Sequence, residues 1–185
     1  MSKIETLIPK KEQLTQITDT TLVDLLIVAR SLPAVEIAQL EAFTGNEFNV
    51  EDLAVQIHTS GGMKWTGRVV ETREPIFVAG FFQVGTGIYR SFMLCGDKTF
   101  SDLYAGETTR HVAGVMQDVA DSDPYIRIET ICLAERDLVR SWYPKIGLAY
   151  ESTMPNYGAR GENAVMYTKF GSAVKTVEPT LIERI

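Results

Sequence analysis

The order of the predicted strands and helices indicates an α+β protein with a mixed, mostly antiparallel sheet flanked by helices. Three apolar segments separated by short turns lie between residues 64 and 94 and predict an antiparallel meander. An amphipathic helix is predicted at 107–121, and strand, helix, strand and strand follow over 126–170. Antiparallel strands followed by a strand–helix–strand unit make a mixed sheet.

The first third of the chain predicts helices. The apolar segment Asp19–Arg30 fits a strand or a helix, since a short apolar run does not decide between them. Ser31 is predicted to be the N-cap of the next helix, with Pro33 near its first turn and Gly45 at its end. A short amphipathic helix is predicted from about Asn49 to Thr59.

Three strands are predicted to follow, at Lys64–Thr72, Ile76–Val84 and Ile88–Leu94. The middle strand is strongly apolar, which is typical of a central strand covered on both faces. Gly85 and Gly87 flank one residue between the last two strands. They predict a hairpin turn and not a phosphate-binding loop, because a third glycine and a following helix are missing.

The composition limits the classes of function. A net charge of −6 argues against binding to a bare phosphate backbone, and no basic run interleaved with aromatic residues suggests a nucleic-acid surface. No apolar run reaches the roughly 20 residues that cross a bilayer. The N-terminus carries no apolar signal-peptide core, so secretion by that route is not expected.

The cysteines and histidines do not predict a metal site. Cys95 and Cys132 lie in apolar segments and are expected to be buried free thiols, with a disulfide open only if their strands are neighbours. His58 and His111 are far apart in the sequence, which does not favour zinc.

The last third of the chain is the most informative. A strand is predicted at 126–133, and Asp137 then offers an N-cap for a short helix that ends at Gly147 in a left-handed C-cap. Extended segments are predicted at 148–154 and 164–170.

This last third also carries a family resemblance. The segment Trp142-Tyr143-Pro144-Lys145-Ile146-Gly147-Leu148 is similar to the signature aromatic, Tyr, x, Lys, aliphatic, Gly, aromatic that closes GNAT-type N-acetyltransferases. The order of elements over about residues 20–170 is also the GNAT order. More narrowly, the chain resembles the GNAT-like proteins of tailed bacteriophages, including internal virion protein A. The resemblance implies a GNAT-like fold.

The resemblance also suggests site residues. Tyr143 matches the family tyrosine that protonates the departing thiolate, and a core tyrosine with a locally satisfied hydroxyl is the alternative. Met93, Cys95, Lys98 and Arg136 are the candidates for contacts with acetyl-CoA. Arg136 replaces the asparagine usual in the family, so it is expected either to pair with a phosphate or to be a solvated surface arginine.

One family motif is missing. The loop "Gln or Arg, x, x, Gly, x, Gly or Ala", which binds the pyrophosphate of acetyl-CoA, has no matching register between Gly96 and Arg110. Asp97, Asp102 and Glu107 are expected to bring negative charge to that region. Therefore no cofactor is expected, except acetyl-CoA if the protein is active.

A general base is not singled out by the sequence. Glu71 and Glu129 are weak candidates because both are predicted to lie on strands, where carboxylates usually face solvent. His111 is expected at the surface or boundary of the long helix.

Two functions remain open. The first is a catalytically degenerate GNAT-like phage protein, located in the host cytoplasm or the virion and acting as a structural or protein-interaction component. The alternative is an active acetyl-CoA-dependent N-acyltransferase on a small amine or a protein amino group. The predicted organisation is an N-terminal segment at 1–20, which is either a tail or a loose first strand, a GNAT-like domain at 21–170 and a C-terminal tail at 171–185. The two tails are expected to dock on other virion proteins or on a second copy.

Overall fold

In the computed structural model, which describes residues 13–173, seven strands form one mixed sheet in the order β1-β2-β3-β4-β5-β7-β6. All neighbouring strands are antiparallel except β4 and β5, which run parallel. The strands are β1 (Thr15–Asp19), β2 (Met63–Val69), β3 (Pro75–Gly85), β4 (Ile88–Cys95), β5 (Arg127–Leu133), β6 (Ala149–Met154) and β7 (Ala164–Phe170). The predicted α+β architecture is confirmed.

Within residues 13–173, five α-helices cover the sheet. They are α1 (Leu22–Arg30), α2 (Ala34–Thr44), α3 (Val50–Thr59), α4 (Ala105–Ser122) and α5 (Asp137–Trp142). No helix within residues 13–173 combines the length and the apolar character needed to cross a bilayer. Within the predicted N-terminal segment, residues 15–19 form β1, which pairs with β2 at the edge of the sheet. Residues 1–12 and most of the predicted C-terminal tail, 174–185, lie outside the described residues.

The first apolar segment forms a helix because its first turn is capped. The side chain of Thr21 accepts a hydrogen bond from the amide of Asp24, and the Asp24 carboxylate accepts one from the Thr21 amide at 3.0 Å. The predicted N-cap at Ser31 is wrong, because Ser31 instead ends α1 and its amide donates to the Val28 carbonyl. The N-cap of α2 is Pro33, which is extended and cannot contribute a side-chain hydrogen bond.

The predicted C-terminus of α2 and the predicted N-terminus of α3 are confirmed. Gly45 ends α2 with a φ of 71°, in the left-handed conformation that glycine adopts without a steric penalty. Asn49 caps α3, and its side chain accepts a hydrogen bond from the Asp52 amide at 2.9 Å.

The central strand β3 is buried on both faces, as predicted. Phe77 and Phe81 point towards α4, where they pack with Met116, whereas Val78 between them packs against α1 and α3. The core therefore has two layers of side chains, one on each face of the sheet.

The predicted short helix of the last third consists of two pieces. The N-cap of α5 is Arg136 and not Asp137, which is the first helical residue. A 3-10 helix, Tyr143–Ile146, follows α5 directly and ends at Gly147, whose φ of 85° confirms the predicted left-handed C-cap. Cys95 and Cys132 are both buried free thiols, as expected.

The edge strand β1 is attached to α4 through one buried carboxylate. Oε2 of Glu107 accepts hydrogen bonds from the amides of Leu14 and Thr15 at 3.0 and 2.7 Å and from the Thr15 hydroxyl at 2.9 Å. Burial raises the pKa of the Glu107 carboxyl, but the hydrogen bonds from Thr15 and Leu14 outweigh burial and bring the pKa below its ordinary value. The ionised carboxylate therefore stabilises the fold.

We predict that Glu107→Ala lowers the free energy of unfolding by about 1–3 kcal/mol at pH 7, because it leaves buried amide donors without an acceptor. The folded-state pKa of Glu107 is depressed, so its contribution is present above the unfolded-state pKa of about 4.3 and is lost as the pH falls through the folded value. Urea unfolding at pH 7 and at pH 3 should show the difference between variant and wild type shrinking at the lower pH.

Glu71→Ala is the matched control, since Glu71 is exposed in a turn. It should change stability by less than about 0.5 kcal/mol at either pH. Equal losses from the two substitutions would contradict the structural role of Glu107.

Candidate active site

The parallel strands β4 and β5 separate partway along their length. They pair at three positions, the last being Arg90 opposite Glu129. Beyond that point β4 continues to Cys95 and β5 to Leu133, and no strand pairing joins these two segments. A wedge-shaped gap therefore opens within the sheet.

Backbone groups of β4 face this gap. The amide of Gly96 donates to the carbonyl of Ile76 at 2.9 Å. Leu94, two residues earlier, lies opposite Val78 in the same register, so Gly96 and Leu94 both bond to β3. Antiparallel strands alternate between residues that bond to the partner and residues whose N–H and C=O point the other way. Met93 and Cys95, two residues apart, therefore both direct their N–H and C=O into the gap.

One backbone group of β5 in the gap is bound by a side chain of α2. The amide of Ala134 donates to the carbonyl of Asn163, in the register that pairs β5 with β7. Because successive residues alternate in direction, the N–H and C=O of Leu133 point away from β7 and into the gap. Its N–H reaches Oε1 of Gln39 at 3.1 Å. Helix α2 thus closes the wide end of the gap from one face of the sheet.

The gap is part of a cavity of about 990 Å³. Its lining includes the first turn of α4, at Ala105 and Gly106, and residues along α2, among them Leu40 and Phe43. A side chain at Gly106 would meet no atom within 4 Å, so this first turn of α4 is open to a ligand.

Tyr143 lies on the cavity wall and in the core at the same time. It is 8% exposed, and its ring lies 4.9 Å from that of Tyr167. Burial raises the pKa of the Tyr143 hydroxyl well above its ordinary value, and the neighbouring Cys132 thiol adds to the effect. The hydroxyl therefore carries its proton throughout the neutral range, and the side chains of Thr130 and Cys132 lie beside it.

Arg136 is buried, so the expectation of a solvated surface arginine is wrong. Its guanidinium pairs with the carboxylate of Glu36 on α2, with Nη1 3.0 Å from Oε2 and a second hydrogen bond beside it. Both side chains line the cavity. The charge of Arg136 is therefore already compensated, which leaves less of it for a phosphate than the sequence alone suggests.

Of the other three candidates for cofactor contacts, two line the cavity and one does not. Met93 and Cys95 line the cavity, whereas Lys98 lies outside it, exposed and paired with Glu74 at 2.8 Å. Burial raises the pKa of the Cys95 thiol well above its ordinary value, so this group stays a thiol at neutral pH. The structure thus brings Tyr143, Met93, Cys95 and Arg136 to one cavity and leaves Lys98 outside.

The acidic residues near α4 are less unfavourable to an anion than expected. Of the three predicted to bring negative charge there, Asp97 lines the cavity, whereas Asp102 and Glu107 do not. The carboxylate of Glu107 is directed towards β1. Two of the three expected negative charges therefore do not border the cavity.

The candidates for a general base do not line the cavity, and two of them are hydrogen-bonded to other residues. Glu71 lies in the turn after β2 and not on a strand, so that expectation is wrong. Glu129 is on β5 but is buried and paired with Arg90, whose Nε lies 2.9 Å from its Oε1. His111 is half-buried on α4, as expected, with Nε2 3.1 Å from the Thr15 hydroxyl.

Sequence reasoning missed Glu36 and Gln39 as residues of the site. The only signal in the sequence is their separation by three residues, which places two polar side chains on one face of α2. That spacing is equally typical of a solvated helix face, so it did not reveal the cavity.

No protein-family model matches the chain, and no curated protein sequence is significantly similar to it. The fold nevertheless has clear counterparts among solved structures. The microcin self-immunity acetyltransferase MccE, in complex with acetyl-CoA and AMP, superposes with a TM-score of 0.67 at 13% identity, over 86% of this chain and 93% of that one.

Two further acetyltransferases superpose over most of their length. A GNAT-family acetyltransferase from Bacillus anthracis gives a TM-score of 0.64 at 16% identity, covering 86% of this chain and 96% of that one. RimL, a ribosomal alpha-N-protein acetyltransferase in complex with coenzyme A, gives 0.64 at 12% identity, covering 88% and 97%. The chain therefore has the fold of the GNAT acetyltransferases.

Proposed function

We propose that the protein is an N-acyltransferase that moves an acetyl group from acetyl-CoA to an amine. The observation that carries this proposal is the gap between β4 and β5, where the free backbone groups of Met93 lie in the same cavity as the neutral hydroxyl of Tyr143. Structures with the same fold hold coenzyme A or acetyl-CoA, which supports the choice. The virion role expected from the sequence stays a prediction, and no observation on the fold or site favours it.

The cavity suits a long acyl thioester. An extended arm with amide groups could lie in the gap and bond to the C=O of Met93 and to the N–H and C=O of Cys95, as an added strand would. The phosphate end would lie at the first turn of α4 beside Gly106, where the amides of Gly106 and Glu107 and the helix dipole favour an anion, whereas the Ala105 amide already donates to the Ser101 carbonyl. Lys145, which also lines the cavity, adds a positive charge.

The residues then have separate tasks. The N–H of Met93 is placed to donate to the thioester carbonyl oxygen as negative charge develops on it. The amine nitrogen bonds to the carbonyl carbon, the carbon–sulfur bond breaks, and the Tyr143 hydroxyl gives its proton to the sulfur. The surplus proton of the nitrogen leaves to solvent and Tyr143 regains a proton, so that the products are an amide and a thiol.

We predict that Tyr143→Phe lowers kcat about 10²-fold in a thioester-cleavage assay while the dissociation constant of coenzyme A stays the same, because the variant loses a proton donor and keeps the ring. Tyr167→Phe is the matched control, since it removes a hydroxyl from the aromatic ring packed against Tyr143 and does not line the cavity. Equal kcat losses in both variants would refute the assignment.

We further predict that Met93→Pro abolishes coenzyme A binding measured by calorimetry and leaves the protein folded. Proline removes one N–H, and the N–H of Met93 is not part of the ladder with β3. Leu94→Pro is the control, because the amide of Leu94 belongs to that ladder and its loss should lower the melting temperature. Unchanged coenzyme A affinity in a folded Met93→Pro protein would argue against the proposed function.

A further inference from the structure

Aromatic rings line the cavity beside both helices. Near the first turn of α4, which also offers a helix N-terminus, these are Phe100 and Trp142, and at the α2 end they are Phe43, Phe82, Phe92 and Tyr157. Phe82 of β3 and Phe92 of β4 are stacked there, with centroids 4.6 Å apart and planes inclined by 12°. Phe43 of α2 meets Tyr157 edge to face, with centroids 5.7 Å apart.

These rings are not packed away in the core. Phe43, Phe82 and Phe92 are each half-buried, and Tyr157 is 42% exposed. All four line the cavity, together with Leu40. Burying such apolar surface stabilises a complex by roughly 25 cal/mol per Å², so an apolar ligand would be favoured at this end.

The carboxylates at this end are already neutralised. Glu36 is paired with Arg136, and Glu129 behind the β4 wall is paired with Arg90. Asp97, the other carboxylate of the lining, lies beyond the end of β4 on the loop to α4. Glu41 and Glu162 lie close to Phe43 and Tyr157 in the sequence, but neither lines the cavity and each accepts a backbone hydrogen bond. Among residues 13–173, the cavity lining therefore offers a ligand with several positive charges no unpaired carboxylate at the four rings, and each of its ammonium groups would have to be desolvated there.

We infer that the acyl acceptor is a primary amine carried on an apolar or aromatic skeleton, and not a polycationic amine. This inference rests on the proposed function and assigns the acceptor to the end of the cavity bounded by Leu40, Phe43, Phe82, Phe92 and Tyr157. The reactive amine then points towards the gap, and its skeleton lies between the rings.

Calorimetry with matched amines tests the inference without requiring turnover. Hexylamine and 1,5-diaminopentane have chains of the same length, and differ in whether the far end is a methyl or an ammonium group. We expect hexylamine and 2-phenylethylamine to bind at least about tenfold more tightly than 1,5-diaminopentane. We also expect Phe43→Ala to weaken 2-phenylethylamine about tenfold, since an aromatic contact is lost.

Tyr125→Ala is the control, because Tyr125 is 75% exposed and lies outside the cavity lining. If Phe43→Ala does not fold, Tyr157→Ala takes its place with the same expected loss. Tighter binding of 1,5-diaminopentane, or equal affinities in the Phe43→Ala and Tyr125→Ala proteins, would overturn the inference. Coenzyme A binding, measured in the same samples, separates this failure from a failure of the proposed function.

Discussion

The early end of hydrogen bonding between β4 and β5 is the constraint on which the site depends. A sheet interior normally pairs every backbone N–H and C=O, because a buried unpaired group costs free energy. Here the pairing stops after Arg90 and Glu129, and the groups beyond must find other partners. Gln39 supplies one for β5. The free groups of β4 are the part of the fold that a ligand can complete.

Helix α2 covers the wide end of this gap from one face of the sheet. Ala42 is the one fully buried residue of α2, and Ile37 and Leu40 are partly buried against the core formed with α1 and α3. Polar contacts supply the rest of the attachment, namely the ion pair of Glu36 with Arg136 and the hydrogen bond of Gln39. A buried ion pair adds little net stability, but it fixes geometry because removing either partner leaves a buried charge. The helix can therefore form a wall of the cavity without filling it.

Much of the fold could be predicted from the sequence because periodicity and caps are local. The alternating strands, the amphipathic helix α4 and the glycine caps at Gly45 and Gly147 are examples. Ser31 was assigned wrongly because a serine two residues before a proline suits an N-cap as well as the end of the preceding helix. Whether Ser31 ends α1 or begins α2 cannot be decided without knowing where α1 packs.

The site was less predictable because it depends on contacts between distant segments. Tyr143 belongs to a local signature, but the burial of Arg136 follows from its pairing with Glu36, 100 residues away. The separation of β4 from β5 leaves no mark in either sequence, since a strand with free backbone groups has the same side-chain alternation as a paired one. The hydrogen bond between Glu107 and Thr15 of β1 likewise joins residues that are far apart in the sequence.

The central claim is that the gap between β4 and β5 receives the acyl-CoA arm. Backbone NMR of the folded protein titrated with coenzyme A tests it most directly, because it reports each amide separately. At about 1 mM coenzyme A, the account predicts the largest amide shifts at Met93, Cys95 and Gly106, with small shifts on α3 and β6. Unchanged amides along β4, or shifts concentrated on another face of the sheet, would contradict it.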